Sequence, residues 1–294
     1  MSQSSIQQAV QYRRFTADDV PVAHGLSLAV QWPHRAEDWL DMFNAGCGFV
    51  AEDGGEVIGT ALCWKFGADR GTLGLVIVAP TQQGRGIGRR LMELVLEELG
   101  SRVTFLHATE AGKPLYEKLG FAACGTVIQH HGNIGTVAAI APPAGEQLRA
   151  LTSDDMAKVI EIASRASGFD RSETLPALLK DAQGVVLERG GTIQGFALLR
   201  RFGRGYVIGP VAAAESPDDV RAKSLITYWL AQIPGAFGRI DVPGGTQLDG
   251  WLDGLGLKSV SSVVKMVRNA PASEHCAAPD AAWRAFGLIN QAMA

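Results

Sequence analysis

At 294 residues, 47% hydrophobic and 19% charged, the chain has the make-up of a globular protein with room for one large core or two ordinary ones. A net charge of −3 speaks against nucleic acid as a partner, because its binders carry a basic excess. No apolar run approaches the roughly 20 residues that cross a bilayer, and residues 1–8 lack the charged start and apolar stretch of a leader, so no membrane is expected and a cytoplasmic location is.

Residues 12–15 read as a first strand, and Thr16-Ala17-Asp18-Asp19 caps a helix over 20–30. The loop Trp32-Pro33-His34-Arg35 leads to a second short helix. Strands over 48–52 and 57–66 are joined by Asp53-Gly54-Gly55-Glu56, whose paired glycines suit a hairpin turn. Glu52, at that hairpin, reads as architectural. A strand over 73–78 enters a glycine-rich turn. The helix beyond it carries Leu91, Val95 and Leu99 at four-residue spacing, with Glu93, Glu97 and Glu98 largely opposite and Gly100 as its stop. A strand over 103–108, a short helix over 114–119 and strands over 122–129 and 135–141 complete this half, with His130-His131-Gly132 as a solvated turn and 142–146 as a linker. A second linker, 270–275, precedes a tail in which Trp283, Phe286 and Ile289 stand three apart and Met293 four further on, the stripe of a docking helix. Cys47, Cys63, Cys124 and Cys276 show no Cys-x-x-Cys spacing, so they read as buried free thiols of a reducing compartment, and no metal site is expected.

Sliding the chain against itself by 136 positions exposes a repeat. Phe15-Thr16-Ala17-Asp18-Asp19-Val20 falls on Leu151-Thr152-Ser153-Asp154-Asp155-Met156, Glu52 on Glu188, and Gly54-Gly55 on Gly190-Gly191. Gly59 falls on Gly195, Phe66-Gly67 on Phe202-Gly203, and Leu119-Gly120-Phe121 on Leu255-Gly256-Leu257. The expectation is two copies of one α/β unit, over 1–141 and 147–269, with a tail over 270–294.

The repeat breaks at the turn Gln83-Gly84-Arg85-Gly86-Ile87-Gly88, which follows Val76-Ile77-Val78-Ala79-Pro80 and precedes Arg89-Arg90-Leu91. Glycines there admit a bulky anion to the backbone, and the helix start offers unpaired N–H groups and a positive dipole end. The stretch reads as a pyrophosphate cradle. A P-loop would need Lys-Ser or Lys-Thr after its last glycine, where Arg89-Arg90 stand, and a dinucleotide fingerprint would need glycine at Arg89. The loop Gln/Arg-x-x-Gly-x-Gly/Ala remains, and the turn matches it throughout. In the second copy the cradle falls on Asp219-Val220-Arg221-Ala222-Lys223-Ser224, with no glycine, and Tyr116 falls on Leu252.

That loop, with Leu115-Tyr116-Glu117-Lys118-Leu119-Gly120-Phe121 downstream, resembles the GCN5-related N-acetyltransferase superfamily, in its two-domain bacterial form with a degenerate second domain. The resemblance implies mixed, mostly antiparallel sheets flanked by helices and one acetyl-CoA, as co-substrate, held by the first copy. Pantetheine is then expected along Val76, Ile77 and Val78, the pyrophosphate on Gln83, Gly84, Arg85, Gly86, Ile87, Gly88 and Arg89, and a further contact from Thr109, where the superfamily often has Asn. Tyr116 is the expected acid for the CoA thiolate. The acceptor amine attacks directly, so no nucleophilic residue is needed. Its base is left open among His34, His107 and Glu110, while Trp32, His34 and Arg35 are expected to border the acceptor. The expected function is N-acetylation of a small-molecule amine by a monomer or homodimer, the alternatives being a non-catalytic acyl-CoA sensor or a peptide or protein N-acetyltransferase.

Overall fold

The computed structural model describes residues 9–274 and 278–294, so Cys276 and residues 1–8 lie outside the described residues. It divides into two compact units, Met1–Lys65 with Leu73–Ser101, and Phe66–Thr72 with Arg102–Ala294. Both are mixed α/β, with mostly antiparallel strands flanked by helices.

In the first unit β1 (Gln11–Arg14), α1 (Val20–Ala29), α2 (Ala36–Asn44), β2 (Cys47–Asp53), β3 (Glu56–Phe66), β4 (Arg70–Val78) and α3 (Ile87–Leu99) follow in order, with β3 and β4 joined through Phe66–Thr72 of the second. β1 pairs antiparallel with β2, and β2 with β3, through Gly54 and Gly55 at φ 61° and 85°, the left-handed pair that a tight hairpin requires. α3 buries Ile87, Leu91, Met92, Val95, Leu96 and Leu99, the expected face. It lies close over the sheet because β3 has Gly59 there. A Cβ at that glycine would stand 3.1 Å from Leu91 Cδ1 and 3.0 Å from the Ile77 carbonyl. Trp39 and Trp64 are buried, their indole N–H groups donating to Ser27 Oγ and the Met42 carbonyl.

The second unit holds β5 (Val103–Ala108), α4 (Lys113–Lys118), β6 (Ala122–Asn133), β7 (Gln147–Ala150), α5 (Met156–Ser167), α6 (Thr174–Leu178), β8 (Ala182–Arg189), β9 (Thr192–Phe202), β10 (Gly205–Ala214), α7 (Val220–Leu230), β11 (Phe237–Pro243), α8 (Asp249–Gly254), β12 (Lys258–Arg268) and β13 (Trp283–Gly287). Its strand order is β5-β12-β6-β11-β10-β9-β8-β7, with β13 on β10. β12 inserts between β5 and β6, pairing antiparallel with both. Across the 136-residue repeat β12 is the counterpart of β6, and β11 of β5, so each copy's β6-type strand pairs with the other copy's β5-type strand. The compact-unit boundaries fall at 65/66, 72/73 and 101/102, whereas the sequence suggests the linker at 142–146.

The repeat is written in side chains as well. Arg13 forks onto Asp19 with two bonds of 2.8 Å and reaches Glu52 at 2.9 Å. Arg149 does the same to Asp155, at 2.6 and 2.8 Å, and to Glu188 at 2.8 Å. Each aspartate also accepts from the backbone N–H and the hydroxyl of its threonine, Thr16 or Thr152. The Arg149 guanidinium, the larger cause, and the Thr152 donors hold the Asp155 carboxyl well below the usual carboxylate range. A depressed carboxylate stabilises the fold above its ordinary pKa, and the contribution is lost as pH falls through the depressed value. Arg149→Ala should therefore cost about 1–2 kcal/mol near neutral pH, after discounting for the guanidinium's exposure. Its acid-denaturation midpoint should move to higher pH. An unchanged acid limb in a pH series of thermal melts would contradict this.

Three sequence expectations are corrected. Residues 135–141 form no strand; Val137 enters the second unit's core, and the Ile140 N–H donates to Thr227 Oγ1 of α7. His130 and His131 lie in β6, where His130 is fully buried between the Leu257 carbonyl (3.1 Å) and Asp249 Oδ1 (3.2 Å). The tail forms β13 in place of a helix. Odd spacing puts Trp283 and Phe286 on opposite faces of a strand, and both are buried because β13 is covered twice: Trp283 lies with Val159 and Ile162 of α5, Phe286 with Leu225 and Ile226 of α7.

Candidate active site

The cradle lies wholly in the first unit. Leu75 of β4 takes φ 52°, rare for a bulky residue, and Thr60 Oγ1 donates to its carbonyl at 2.8 Å. After this irregularity Ile77 is buried, and Val76 and Val78 are half-buried. The Ala79 N–H returns to the Ile58 carbonyl at 2.8 Å, and a short turn, Pro80–Gln82, follows. Gln83 Nε2 then donates back to the Val78 carbonyl at 3.2 Å, closing the loop on the strand end.

Gly84 and Gly86 stand at φ 80° and 78°, and a Cβ at either would meet nothing within 4 Å. Packing does not demand these glycines; the left-handed backbone does, and it leaves open space over the loop. Gly86 caps α3 without a side-chain acceptor, no acid lies in the first turn, and the Arg90 N–H bonds to the Gly86 carbonyl at 3.1 Å. Ile87 anchors the turn in the core, while the N–H groups at the start of α3 and its positive dipole end lie beside the open space. Arg85 is held by Asp53 at 2.9 Å and by Gln82, and Arg89 and Arg90 pair with Glu93 on their own helix at 3.0 and 3.4 Å. Sequence reading missed Asp53, and also Tyr12 of β1, whose phenol feels Arg90 and Arg85 while burial raises its pKa. Neither carried a signal: one sits in a hairpin, the other in a strand unlike any phosphate motif.

Of the residues expected at the acceptor, Arg35 forks onto Asp38 at 2.6 and 3.1 Å at the start of α2. The half-buried His34 ring packs edge-on between Trp32 (6.0 Å) and Trp39 (6.3 Å). Its carbonyl faces His24 Nε2 at 2.9 Å. These contacts build an aromatic cluster continuing to Phe15 and Phe43.

The remaining expected residues lie in the second unit. Tyr116 sits on α4, its ring edge-on to Phe121 at 6.2 Å, and burial pushes the phenol up to about 12. Gly112 makes room for it, since a Cβ there would stand 3.0 Å from Tyr116 Cε2. Thr109 Oγ1 accepts from the Gly112 N–H at 3.3 Å, and Glu110 is exposed. His107 Nδ1 lies 2.7 Å from the Gln291 carbonyl, so Nδ1 carries the proton and Nε2 the lone pair. Burial, with a smaller push from Lys265, lowers this imidazole to about 4 against the raising effect of that carbonyl. It is neutral at pH 7 and a weak base. Phe169-Asp170-Arg171, the second copy's counterpart of the Arg35 loop, is tied internally. Buried Arg171 donates to the Met293 and Ala294 carbonyls at 3.0 and 2.6 Å and stacks over Phe66 and Phe169. Among the described residues no cluster of three or more His, Cys, Asp or Glu could hold a metal ion.

The same sheet position in the second copy is built differently. α7 begins at Val220, three residues earlier than α3 across the repeat, so the counterpart of Gly86 is Ala222, fully buried inside a helix. Asp219 stands just before this helix, and its buried carboxylate accepts from the Gln247 N–H at 3.2 Å and lies 3.6 Å from Arg284. Val76–Val78 correspond to 212–214 of β10, and these residues pair antiparallel with β13, Ala212 to Ala285 and Ala214 to Trp283. β10 pairs with β11 only at Tyr206 and Val207, and β13 takes the place alongside the strand beyond.

The cradle fits the pyrophosphate and pantetheine arm of CoA: glycines that a Cβ would fill, a helix start free of acids, and a strand end leading to it.

Comparison with known proteins bears on both copies. A model described as the Acetyltransferase (GNAT) family matches residues 17–121, and one described as the Acetyltransferase (GNAT) domain matches residues 159–277. Among curated proteins, the chain is 28% identical over 217 residues to the uncharacterized N-acetyltransferase YitH of Bacillus subtilis, covering 72% of this chain and 74% of that one. It is 28% identical over 210 residues to the holothin acyltransferase of a Pseudoalteromonas species, covering 66% and 65%. Among solved structures, a Pyrococcus horikoshii protein superposes with a TM-score of 0.76 at 20% identity over all of this chain and 99% of that one. A tandem GNAT protein from the clavulanic acid biosynthesis pathway superposes at 0.66 with 16% identity, over 90% of this chain and 100% of that one.

Proposed function

This chain belongs to the GNAT acyltransferases, with two such domains in tandem, and from that premise we propose that it transfers an acetyl group from acetyl-CoA directly to the free amino group of a small molecule. The observation that carries the reading is the Gly84–Gly86 turn, left-handed and open above a helix start with no acid in its first turn. Acetyl-CoA supplies an activated thioester carbonyl. Val76, Ile77 and Val78 offer backbone groups to its pantetheine arm, with Thr109 as a further contact. Gln83, Gly84, Arg85, Gly86, Ile87, Gly88 and Arg89 hold its pyrophosphate. A backbone N–H near Val78 polarises the carbonyl. Tyr116, placed by the Leu115-to-Phe121 motif, serves the departing thiolate.

A protonated alkyl amine has a pKa of about 10.4 and reaches its nucleophilic form by losing a proton. His107, lowered to about 4, is too weak a base to store that proton at pH 7 and is not assigned the role. A small acceptor is favoured over a peptide by the Pseudoalteromonas relative, named for acyl transfer to holothin. Cofactor binding is assigned to the first copy alone; the reading is supported by the absence of glycine from Asp219-Val220-Arg221-Ala222-Lys223-Ser224 and by the pairing of residues 212–214 with β13.

The test is release of free CoA thiol from acetyl-CoA over a panel of amino acids, polyamines, aminoglycosides, aromatic amines and peptide N-termini. Amine-dependent thiol release with an acetylated small-molecule product is expected. Turnover confined to peptides would replace the acceptor class, and acetyl-CoA binding without turnover on any amine would favour the sensor reading.

A further inference from the structure

A pair of thiols in the first unit plays no part in acyl transfer. Cys47 opens β2 and stands directly opposite Cys63 of β3 in the antiparallel register, with the two sulfurs 3.7 Å apart. Cys63 is fully buried and Cys47 half-buried, so a small oxidant reaches Cys47 first and Cys63 waits behind it. Around them Lys65 and Arg14 converge on Glu98 of α3, at 2.5 and 2.6 Å, leaving one net positive charge beside the pair. The hydrogen bond between the two sulfurs is the largest cause of a lowered Cys47 pKa, with Lys65 and Arg14 acting in the same sense. Burial and Glu98 oppose them. Cys63 is correspondingly pushed up by that same bond and by burial.

We propose that Cys47 and Cys63 are a modification site at which peroxides reversibly form a cross-strand disulfide. In the first step the Cys47 thiolate attacks a peroxide oxygen and the O–O bond breaks. Cys47 loses two electrons to become a sulfenic acid, and the departing oxygen leaves as water or alcohol after taking a proton. In the second, Cys63 sulfur attacks Cys47 sulfur, the S–O bond breaks, and the hydroxide leaves as water with the Cys63 proton. Two thiols and one peroxide thus give one disulfide, one water and one water or alcohol. The sulfurs close from 3.7 Å to about 2.0 Å, a side-chain movement between residues already in register. Directly opposed residues hold their Cβ atoms about 4.5–5.5 Å apart, wider than the roughly 3.8 Å mean of relaxed disulfides, so the bond is strained and readily reduced by a dithiol.

The experiment treats the folded full chain with hydrogen peroxide, quenches in denaturant with an alkylating reagent and maps the peptides by mass. The expected result is a Cys47–Cys63 cross-linked peptide two hydrogens lighter than its parts, lost again on adding dithiothreitol. In Cys63→Ser the Cys47 sulfenic acid should persist and be captured by dimedone, and in Cys47→Ser residue 63 should stay a thiol. Full alkylation of both residues after peroxide, or linkage of either to Cys124 or Cys276 instead, would overturn the proposal. Loss of the link in folded Cys47→Ser, with Cys124 alkylation unchanged, supports it.

Discussion

Gly86→Val should reduce acetyl-CoA affinity by at least about 100-fold while leaving the fold standing. The backbone there is at φ 78°, where a β-branched side chain costs about 1–2 kcal/mol. That sum is bearable for a domain, and no protein atom lies within 4 Å of the new Cβ. The loss in binding is larger because the side chain enters the space a pyrophosphate needs and tilts the N–H groups at the helix start away from it; a 100-fold loss corresponds to about 2.7 kcal/mol. Gly54→Ala is the control, since it places a Cβ at φ 61° in equally open space at the β2–β3 hairpin. It should lower thermal stability without changing acetyl-CoA binding. Equal loss of affinity in both variants, by calorimetric titration, would mean that backbone strain, not the cradle, sets the effect. The second copy points the same way, with Ala222 inside a helix that starts three residues earlier where Gly86 and an open turn stand in the first.

Tyr116→Phe should lower kcat about 10- to 100-fold with the acetyl-CoA Kd unchanged. The magnitude follows from the phenol's environment. Burial raises its pKa to about 12, whereas a thiol lies near 8.5, so outright proton transfer to the departing thiolate is uphill by about 5 kcal/mol. In the proposed reaction Tyr116 is therefore a hydrogen-bond donor to developing negative charge, and a bond to a charged group contributes about 1.5–3 kcal/mol. Since the phenol keeps its proton far above neutrality, Tyr116 should bring no fall in kcat below pH 11, and the phenylalanine variant should share the wild-type profile at lower height. A kcat within twofold of wild type would leave the ring packing against Phe121 as this residue's role.

The parts of the fold legible in the sequence are those set by local backbone chemistry. Gly54-Gly55 and Gly190-Gly191 all take positive φ, as two hairpins require, and the Leu91, Val95, Leu99 stripe is buried. The 136-residue offset is matched by the twin Arg13 and Arg149 clusters, because an arginine fork between a cap and a hairpin is itself a local arrangement. What stayed hidden is long-range pairing. Nothing in the local sequence of β6 or β12 announces which distant strand each pairs with, because pairing between segments far apart in the chain leaves no spacing to read. The tail misled for a related reason: apolar residues three apart mark a helix face, yet they also mark a strand buried on both sides, and only tertiary context separates the two. At the site, the glycine turn was legible because its conformation is rare. Asp53, which holds Arg85, was not, because ion pairs between distant segments leave no spacing.

In the proposed function each chain holds one acetyl-CoA, at the Gln83–Gly88 turn of its first copy. Calorimetric titration of the intact chain with acetyl-CoA, beside Gly86→Val, measures it most directly. One site per chain is expected, weakened at least about 100-fold by that substitution; two sites, or one that keeps full affinity in Gly86→Val, would contradict this.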